Sequence, residues 1–599
     1  MSSYGLSWFF SSGMRSMFDR VRHEDESNSG LRWVLGGLTL LCLFEFFWAL
    51  GTVPFYTRGE AREGLVVWEM FKTGNWILPR INGDYIPFKP PMFHWVGVLA
   101  SLLVGDVSEL TLRVPSAIFA TLTVVLVYFA GTRLWNKKTG ATAAVVLATN
   151  QEWWQMGSMA QVDMTLAFFI TAALLAFYFG YQNEKSQKIP ALAFGSLLAF
   201  ATLAKGPLGL VLPLLILVVF LGLRRDFASL RKMSLAYTAM VFLLIAGSWY
   251  ALALREGGSA FFLRQIVEES FGTAGGNYGH HQPFYYFIPV FFLNLAPWSF
   301  FSPFIAVFLY RRRGELSREH LLFPLVWLVV VLLFFSSAAG KRGVYILPLY
   351  PAFALLFAAW WQNLNKEETA PYRWVLPSVN YFLAIVTLIA VARIVYLLNG
   401  NGDLRVQRLV PLITSTRLAA NIGAFLGHSP GWIWLCLVLF TASGILMLFS
   451  LPQKKWHLVL VALALFSSAS TAFLKTVYYP TIAGQRSMKS FGIRRRENAD
   501  TEKPLAFYQA FDYGTIFYSR RHIPEEPPQH TEPISPIFLL VWEEDLQPLR
   551  SGNNLQILDV SEGRGPVDKH RLVLVKSSAV PAPFDKGGKS RRRTETDGD

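Results

Sequence analysis

Residues 31–50 read LRWVLGGLTLLCLFEFFWAL, a run of twenty whose only ionisable side chains besides Cys42 are Arg32 and Glu45. About 20 apolar residues carry a helix across the hydrocarbon core of a bilayer, so this stretch sets the fold class. It lies too deep in the chain, and is too poorly flanked, for a cleaved signal peptide. Arg15, Arg20 and Arg22 precede it and Arg32 opens it, which places the N-terminal segment 1–30 in the cytoplasm.

Further apolar spans follow near 112–132, 140–157, 163–181, 189–204, 207–223, 233–254, 284–310, 321–337, 344–361, 374–398, 431–451 and 456–474, giving about thirteen spans in all. Composition agrees. Charged residues make up 16% of the 599 and hydrophobic ones 53%, against about 25% charged in a soluble domain. A soluble enzyme and a disordered chain are both excluded. Cys42 and Cys436 lie in apolar runs, which removes a disulfide framework and a Cys-based zinc site.

The net charge of +15 points to no nucleic acid, because its sorting is topological. Starting inside, every second connection is basic: Arg133, Lys137 and Lys138; Lys185 and Lys188; Arg224, Arg225, Arg231 and Lys232; Arg311, Arg312, Arg313 and Arg318; Lys366 and Arg373; Lys454 and Lys455. The opposite connection Gln151–Gln161 has neither Lys nor Arg. An odd span count leaves the C-terminus outside.

Two outer segments, 51–111 and 255–283, are too long to be connectors and too aromatic for disorder. Within the first, Met92–Val104 is too short to span and reads as a helix lying at the interface. After Lys475 short strand-like runs appear at Pro504–Gln509, Ile537–Trp542 and Arg571–Lys576, separated by turn residues. The expected architecture is a polytopic α-helical membrane protein. Its transmembrane domain covers 31–474, and a small extracytoplasmic α/β domain covers 475–584. A disordered tail covers 585–599.

Ionisable groups are costly near a membrane, so their shared side is informative. Glu60, Arg62 and Lys89 fall in the first outer segment, and Asp163 opens a span at its outer end. Lys205, in the Lys205-Gly206-Pro207 turn, is outside, as are Lys341, Arg342, Tyr345, His280 and His281. Singly each has a plain role: Asp163 as a helix cap, the lysines snorkelling to headgroups, Tyr345 in an aromatic belt. Together they describe one outward-facing site of carboxylates and cations. Glu45 and Arg393, inside spans, are left over; both are placed near the outer interface. No internal repeat supports an inverted-repeat transporter.

The stretches Arg58-Gly59-Glu60-Ala61-Arg62-Glu63, Gly74-Asn75-Trp76-Ile77-Leu78-Pro79 and Lys89-Pro90-Pro91 resemble the first outer loop of bacterial GT-C glycosyltransferases. These are the lipid A aminoarabinose transferases and their relatives in the dolichyl-phosphate-mannose–protein mannosyltransferase family. Val162-Asp163-Met164, Leu203-Ala204-Lys205-Gly206-Pro207, and Lys341 through Tyr345-Ile346-Leu347-Pro348 agree in order, as do Pro283-Phe284-Tyr285-Tyr286 and Pro297-Trp298. The resemblance covers roughly residues 30–360.

What the resemblance implies is a GT-C fold in the bacterial cytoplasmic (inner) membrane and a sugar donor on a polyprenyl phosphate, undecaprenyl phosphate in bacteria. The acceptor is a lipid, glycan or protein hydroxyl, as in lipid A modification or protein O-glycosylation. Arg62, Lys89, Lys205, Lys341, Arg342 and Tyr345 are expected at the carrier phosphate. Glu60 or Asp163 is expected to take the proton from the acceptor hydroxyl, and His280 and His281 to serve the acceptor or its loop. Where relatives have Asp-Glu in the first motif, the Asp being important for catalysis, this chain has Gly59-Glu60. Where they commonly have a Glu before Lys-Pro-Pro, able to join a His at a divalent metal, it has Phe88. A metal-independent, inverting transfer is therefore expected, with Phe88 packing the loop or touching lipid. The competing classes are a flippase for lipid-linked saccharides, and a glycan ligase or polymerase.

Overall fold

A computed structural model of the chain describes residues 28–83, 85–182, 188–229, 234–272, 281–318, 320–364, 430–450, 455–497, 505–525, 537–550, 555–565 and 570–577, with scattered positions between 377 and 389. The expected span 374–398 with Arg393, the residue His280 and the tail 585–599 lie outside the described residues or fall mostly so. Nine helices of the N-terminal half carry most of the candidate site: α1 (Asn28–Cys42), α2 (Arg58–Thr73), α3 (Met92–Val104), α4 (Glu109–Leu134), α5 (Lys137–Ala148), α6 (Gln151–Gly157), α7 (Val162–Tyr181), α8 (Lys188–Lys205) and α9 (Leu208–Arg224).

Local chemistry sets several of their ends. Thr57 accepts from the Glu60 amide to start α2, and Gly74 in the left-handed region (φ 70°) ends it. Ser108 and Thr111 form a capping box at the start of α4. Asn136 caps α5, and Asn150 caps α6 at Trp153. That last cap explains a difference from the sequence reading. The expected span 140–157 is broken at Thr149-Asn150 into two helices, since the Asn150 side chain starts a new one.

Among the described residues, six helices are long and apolar enough to cross a membrane: Glu109–Leu134, Val162–Tyr181, Lys188–Lys205, Leu235–Glu269, Gly343–Asn363 and Trp456–Arg486. Shorter apolar helices are Met92–Val104, Leu208–Arg224, Leu322–Ser337 and Trp434–Ser450. The expected span 284–310 is instead a pair, Phe284–Asn294 and Trp298–Arg311, bent by 110°. The second outer segment also differs from its reading as a loop. The helix Ser248–Phe261 is kinked at Gly258 (φ 58°, ψ −145°) and continues in a wider, π-type coil through Phe262–Gly272, so residues 255–272 are two helical pieces rather than a loop.

Two glycines hold α8 and α9 in register. Gly206 (φ 69°) makes the Lys205-Gly206-Pro207 reversal. At Gly209 a Cβ atom would stand 2.2 Å from the Ala201 carbonyl, so only glycine lets α9 close against α8.

Glu45 sits fully buried at the end of the first apolar run, in a π-type turn, Leu43–Phe47, that follows α1. Its carboxylate accepts from Ser468 (2.5 Å), and Lys475 donates to the carbonyls of Glu45 (2.6 Å) and Trp48 (3.2 Å). The first and last described apolar helices are thus tied by polar contacts away from lipid.

Residues 505–577 form a four-stranded sheet of order β1-β2-β4-β3: Leu505–Phe507, Ile537–Trp542, Leu555–Val560 and Leu572–Ser577 in chain order. β1 and β2 are parallel and the other pairs antiparallel. The sheet shares its core with the first outer segment. Leu65, Val66, Val67 and Met70 of α2 pack in one apolar cluster with Phe517, Tyr518, Leu540 and Leu574. Polar ties run across the same contact: the Phe55 amide to the Tyr518 hydroxyl (2.8 Å), that hydroxyl to Glu109 (2.9 Å), and Asn82 to both the amide and the carbonyl of Ile523 (2.9 and 2.7 Å).

Candidate active site

The first turn of α2, the segment 87–91, the first turn of α7, the α8–α9 turn and the 3₁₀ turn Gly343–Leu349 supply the charged residues that meet. Lys205 donates to Asp163 Oδ1 and lies 4.8 Å from the centre of the Tyr345 ring. Asp163 also feels the charges of Arg342 and Lys89, and Tyr345 those of Arg342 and Arg62. Six of the residues named from sequence therefore come together: Arg62, Lys89, Asp163, Lys205, Arg342 and Tyr345.

Residues that sequence reasoning missed hold this cluster. Arg62 donates twice to Glu63 Oε1 (3.0 and 2.8 Å), and Glu63 Oε2 is 2.7 Å from His94 Nε2 on α3. Burial alone would raise the Glu63 carboxyl, but Arg62 and His94 outweigh it and hold its pKa at about 2. Lys89 pairs with Glu269, and Gln265 donates to the carbonyls of Pro87 (2.9 Å) and Lys89 (3.1 Å). Both partners come from the helical stretch read as a loop. Phe88 packs between two cations: its ring lies 5.4 Å from the Arg62 guanidinium and 3.8 Å from that of Arg264. One signal for His94 was available, an ionisable residue inside the apolar run 92–104.

The cations Arg62, Lys89, Lys205 and Arg342 outnumber Glu63, Asp163 and Glu269. Burial, then the nearby charges of Lys205 and Arg62, push the Lys89 ammonium well below its ordinary pKa. Such crowding is relieved by an anion. Arg supplies a planar fork for phosphate oxygens and Lys a point charge.

The other named residues stand elsewhere. Glu60 is fully buried and engaged on both oxygens. Arg113 donates to Oε1 from Nε (2.8 Å) and to Oε2 from Nη2 (3.3 Å), and the Ala160 amide adds a bond of 3.1 Å to Oε1. Arg113 also donates to the carbonyls of Leu50 (3.0 Å) and Val53 (2.7 Å). Glu60 is thus a strut between α2, α4 and the chain entering α7. Lys341 is turned away from its neighbour Arg342, with its ammonium donating to the carbonyls of Gln282 (2.9 Å) and Ala338. His281 is exposed, its backbone bridged to Gly340. Among the described residues no group of three or more His, Cys, Asp or Glu side chains is placed to hold a metal ion, and Phe88 offers no ligating atom.

Residues 88–250 match the family model described as dolichyl-phosphate-mannose-protein mannosyltransferase. An uncharacterized protein of Aquifex aeolicus is 31% identical over 334 residues, 54% of this chain and 64% of that protein. Two proteins named undecaprenyl phosphate-alpha-4-amino-4-deoxy-L-arabinose arabinosyl transferase are also similar. That of Proteus mirabilis is 24% identical, covering 59% of this chain and 65% of its own; that of Erwinia tasmaniensis is 29% identical, covering 53% and 58%. The chain spans somewhat under two thirds of the length of these relatives. The crystal structure of ArnT from Cupriavidus metallidurans bound to undecaprenyl phosphate has the same fold, with a TM-score of 0.71 at 19% identity over 93% of this chain and 100% of that one. The likeness to GT-C glycosyltransferases read from the sequence is borne out, and the chain has a helical, multi-pass membrane fold of that kind.

Proposed function

We propose that the chain is a membrane glycosyltransferase that moves a sugar from undecaprenyl phosphate to a lipid, glycan or protein hydroxyl on the outer face of the cytoplasmic membrane. The observation that carries this reading is the Asp163–Lys205 pair set among Arg62, Lys89 and Arg342 at the outer ends of α7 and α8. A phosphate-linked sugar presents two needs, charge for the leaving phosphate and a base for the acceptor. This cluster holds both.

In the proposed reaction the acceptor oxygen attacks the anomeric carbon. The bond from that carbon to the phosphate oxygen breaks, and its electron pair leaves with undecaprenyl phosphate. Arg62, Lys89, Lys205 and Arg342 stabilise the charge gathering on the phosphate, with Tyr345 stacked beneath Lys205. Asp163 accepts the proton released by the acceptor hydroxyl. Attack opposite the leaving group inverts the anomeric centre. Asp163 is preferred to Glu60 as the base, because Glu60 has both oxygens committed to Arg113. Lys341 is assigned to holding the Gln282 loop and His281 to that same outer loop.

The finer architecture belongs to the same proposal: about thirteen spans, segment 1–30 in the cytoplasm, and the sheet region 475–584 outside. Alternation of the basic loops supports it. The test is transfer from an undecaprenyl-phosphate sugar by reconstituted protein, followed by Asp163→Asn and Lys89→Ala. Loss of about 100-fold or more in kcat for Asp163→Asn is expected; wild-type rates in both variants sink the assignment. Lipid A, envelope glycans and proteins unchanged in mass in a deletion strain would count against transfer itself.

A further inference from the structure

Residues 87–89 are gripped by one short stretch of the coil Phe262–Gly272. Gln265 donates to the carbonyls of Pro87 (2.9 Å) and Lys89 (3.1 Å), and the Arg264 guanidinium lies 3.8 Å from the centre of the Phe88 ring. These contacts fix the backbone and the ring, and neither involves the Lys89 charge. That charge is matched by Glu269. Glu269 can therefore let go of Lys89 while its own segment stays docked. Of the three carboxylates in the cluster its side chain is the most exposed, at 20% against 13% for Asp163 and 5% for Glu63. Glu63 is also held from both sides, by Arg62 and His94.

Sugar transfer changes the charge on the lipid. The donor is a phosphodiester with one negative charge. Once the bond to the anomeric carbon has broken, the carrier is a monoester, whose second pKa is about 6 and whose charge at pH 7 is about −1.5 to −2. The cations Arg62, Lys89, Lys205 and Arg342 would by themselves hold that product more tightly than the donor and slow its release. A carboxylate beside Lys89 has the opposite effect. It repels two charges about twice as strongly as one, so it weakens the product more than the donor.

We propose that Glu269 is a product-release residue: it occupies Lys89 in the empty site, yields it to the phosphate of the donor, and by opposing the second charge drives the monoester off after transfer. This rests on the transferase reading above and deepens it by assigning a residue to the step that follows the chemistry. Glu269 acts through Lys89, touches no reacting atom and moves no proton, so it is a positioning residue.

The test uses the full chain in detergent at about pH 7.5, where the monoester is largely a dianion. Two lipids are compared, undecaprenyl phosphate and its methyl diester, which differ by that second charge. Dissociation constants are measured for wild type, Glu269→Gln and Glu269→Asp. Removing the carboxylate should tighten the monoester about 10-fold and the diester by no more than about threefold. Glu269→Asp keeps the charge and should stay nearer to wild type than to Glu269→Gln. Glu269→Ala should give the same ratio as Glu269→Gln, and carries the test if the amide variant does not fold. A monoester-to-diester ratio unchanged from wild type overturns the proposal. Equal loss of both lipids also overturns it, because a carboxylate that only braces the segment would behave so, as does an Asp variant indistinguishable from the Gln variant. A wild type that binds neither lipid refutes the transferase reading itself, a different outcome from binding both with an unchanged ratio.

Discussion

Removing Arg113 should unfold this protein before it tells anything about chemistry. The Arg113 and Glu60 side chains are 4% and 0% exposed, joined by contacts of 2.8 and 3.3 Å. Arg113→Met leaves the Glu60 carboxylate buried with only the Ala160 amide, a loss of about 3–5 kcal/mol. It also strands the carbonyls of Leu50 and Val53, each worth about 1 kcal/mol more. Glu60→Gln sits at the lower end, about 3 kcal/mol: an amide oxygen still receives Arg113 Nε and the Ala160 amide, while the guanidinium keeps its two carbonyls. Either loss is a large share of a total stability of about 5–15 kcal/mol. The assay heats detergent-solubilised protein, follows the fraction that stays monodisperse, and measures turnover per folded molecule. Both variants should lose heat resistance, Arg113→Met more, with folded Glu60→Gln retaining most of its turnover. Glu60→Gln that is as heat-resistant as wild type yet inactive would refute the strut and return the base to Glu60.

Lys89 has a depressed pKa, so it loses its charge at a lower pH than an ordinary lysine. Donor kcat/KM should therefore fall as pH rises through that depressed value, and Lys89→Arg should move the alkaline limb upward; a pH profile with the same limb in Lys89→Arg speaks against it. Glu63, at about 2 when folded against an ordinary 4.5, adds stability that is present above about pH 4.5 and lost as pH falls toward 2. That share is roughly 3 kcal/mol at most, and acid-unfolding curves of Glu63→Gln should be flatter in the same window. Lys341→Met, which removes two carbonyl contacts, should lower heat resistance by about 1–3 kcal/mol and change donor KM far less than Lys89→Met does. Equal KM effects would put Lys341 at the phosphate after all.

Charge read the site more easily than geometry did. Arg62, Lys89, Asp163, Lys205, Arg342 and Tyr345 meet because each sits at a helix end or turn on one side of the apolar runs, and that side is visible in the alternation of basic loops. Glu60 and Lys341 share that side, but spacing says nothing of which way a side chain turns. Glu60 faces Arg113, a residue inside an apparently uniform apolar stretch, and Lys341 faces carbonyls while its neighbour Arg342 faces the cluster. The helix through Gly272 was hidden by the glycines and aromatics of residues 257–272, which suit a loop by composition. Leu555–Val560 escaped notice as a strand because it lies at the sheet edge, half exposed, with its register shifted between Ile557 and Asp559. Helix α6 was absorbed into a span because only the Asn150 cap marks its start.

The core shared by α2 and the C-terminal sheet bears on how the protein is made. The Phe55 amide meets a hydroxyl 463 residues later in the chain. At about 5–20 residues per second, that separation is roughly 25–90 s of synthesis. Through that interval the apolar face of α2 has its cover from Phe93 and Val98 of α3 and Leu112 of α4 but lacks the sheet's share of the same cluster, so this core closes at the end of biogenesis. A nascent chain halted before the sheet would hold most of its apolar helices but only part of the core around α2. Completion of the last hundred or so residues is then what closes the core under the helix that carries Arg62 and Glu63.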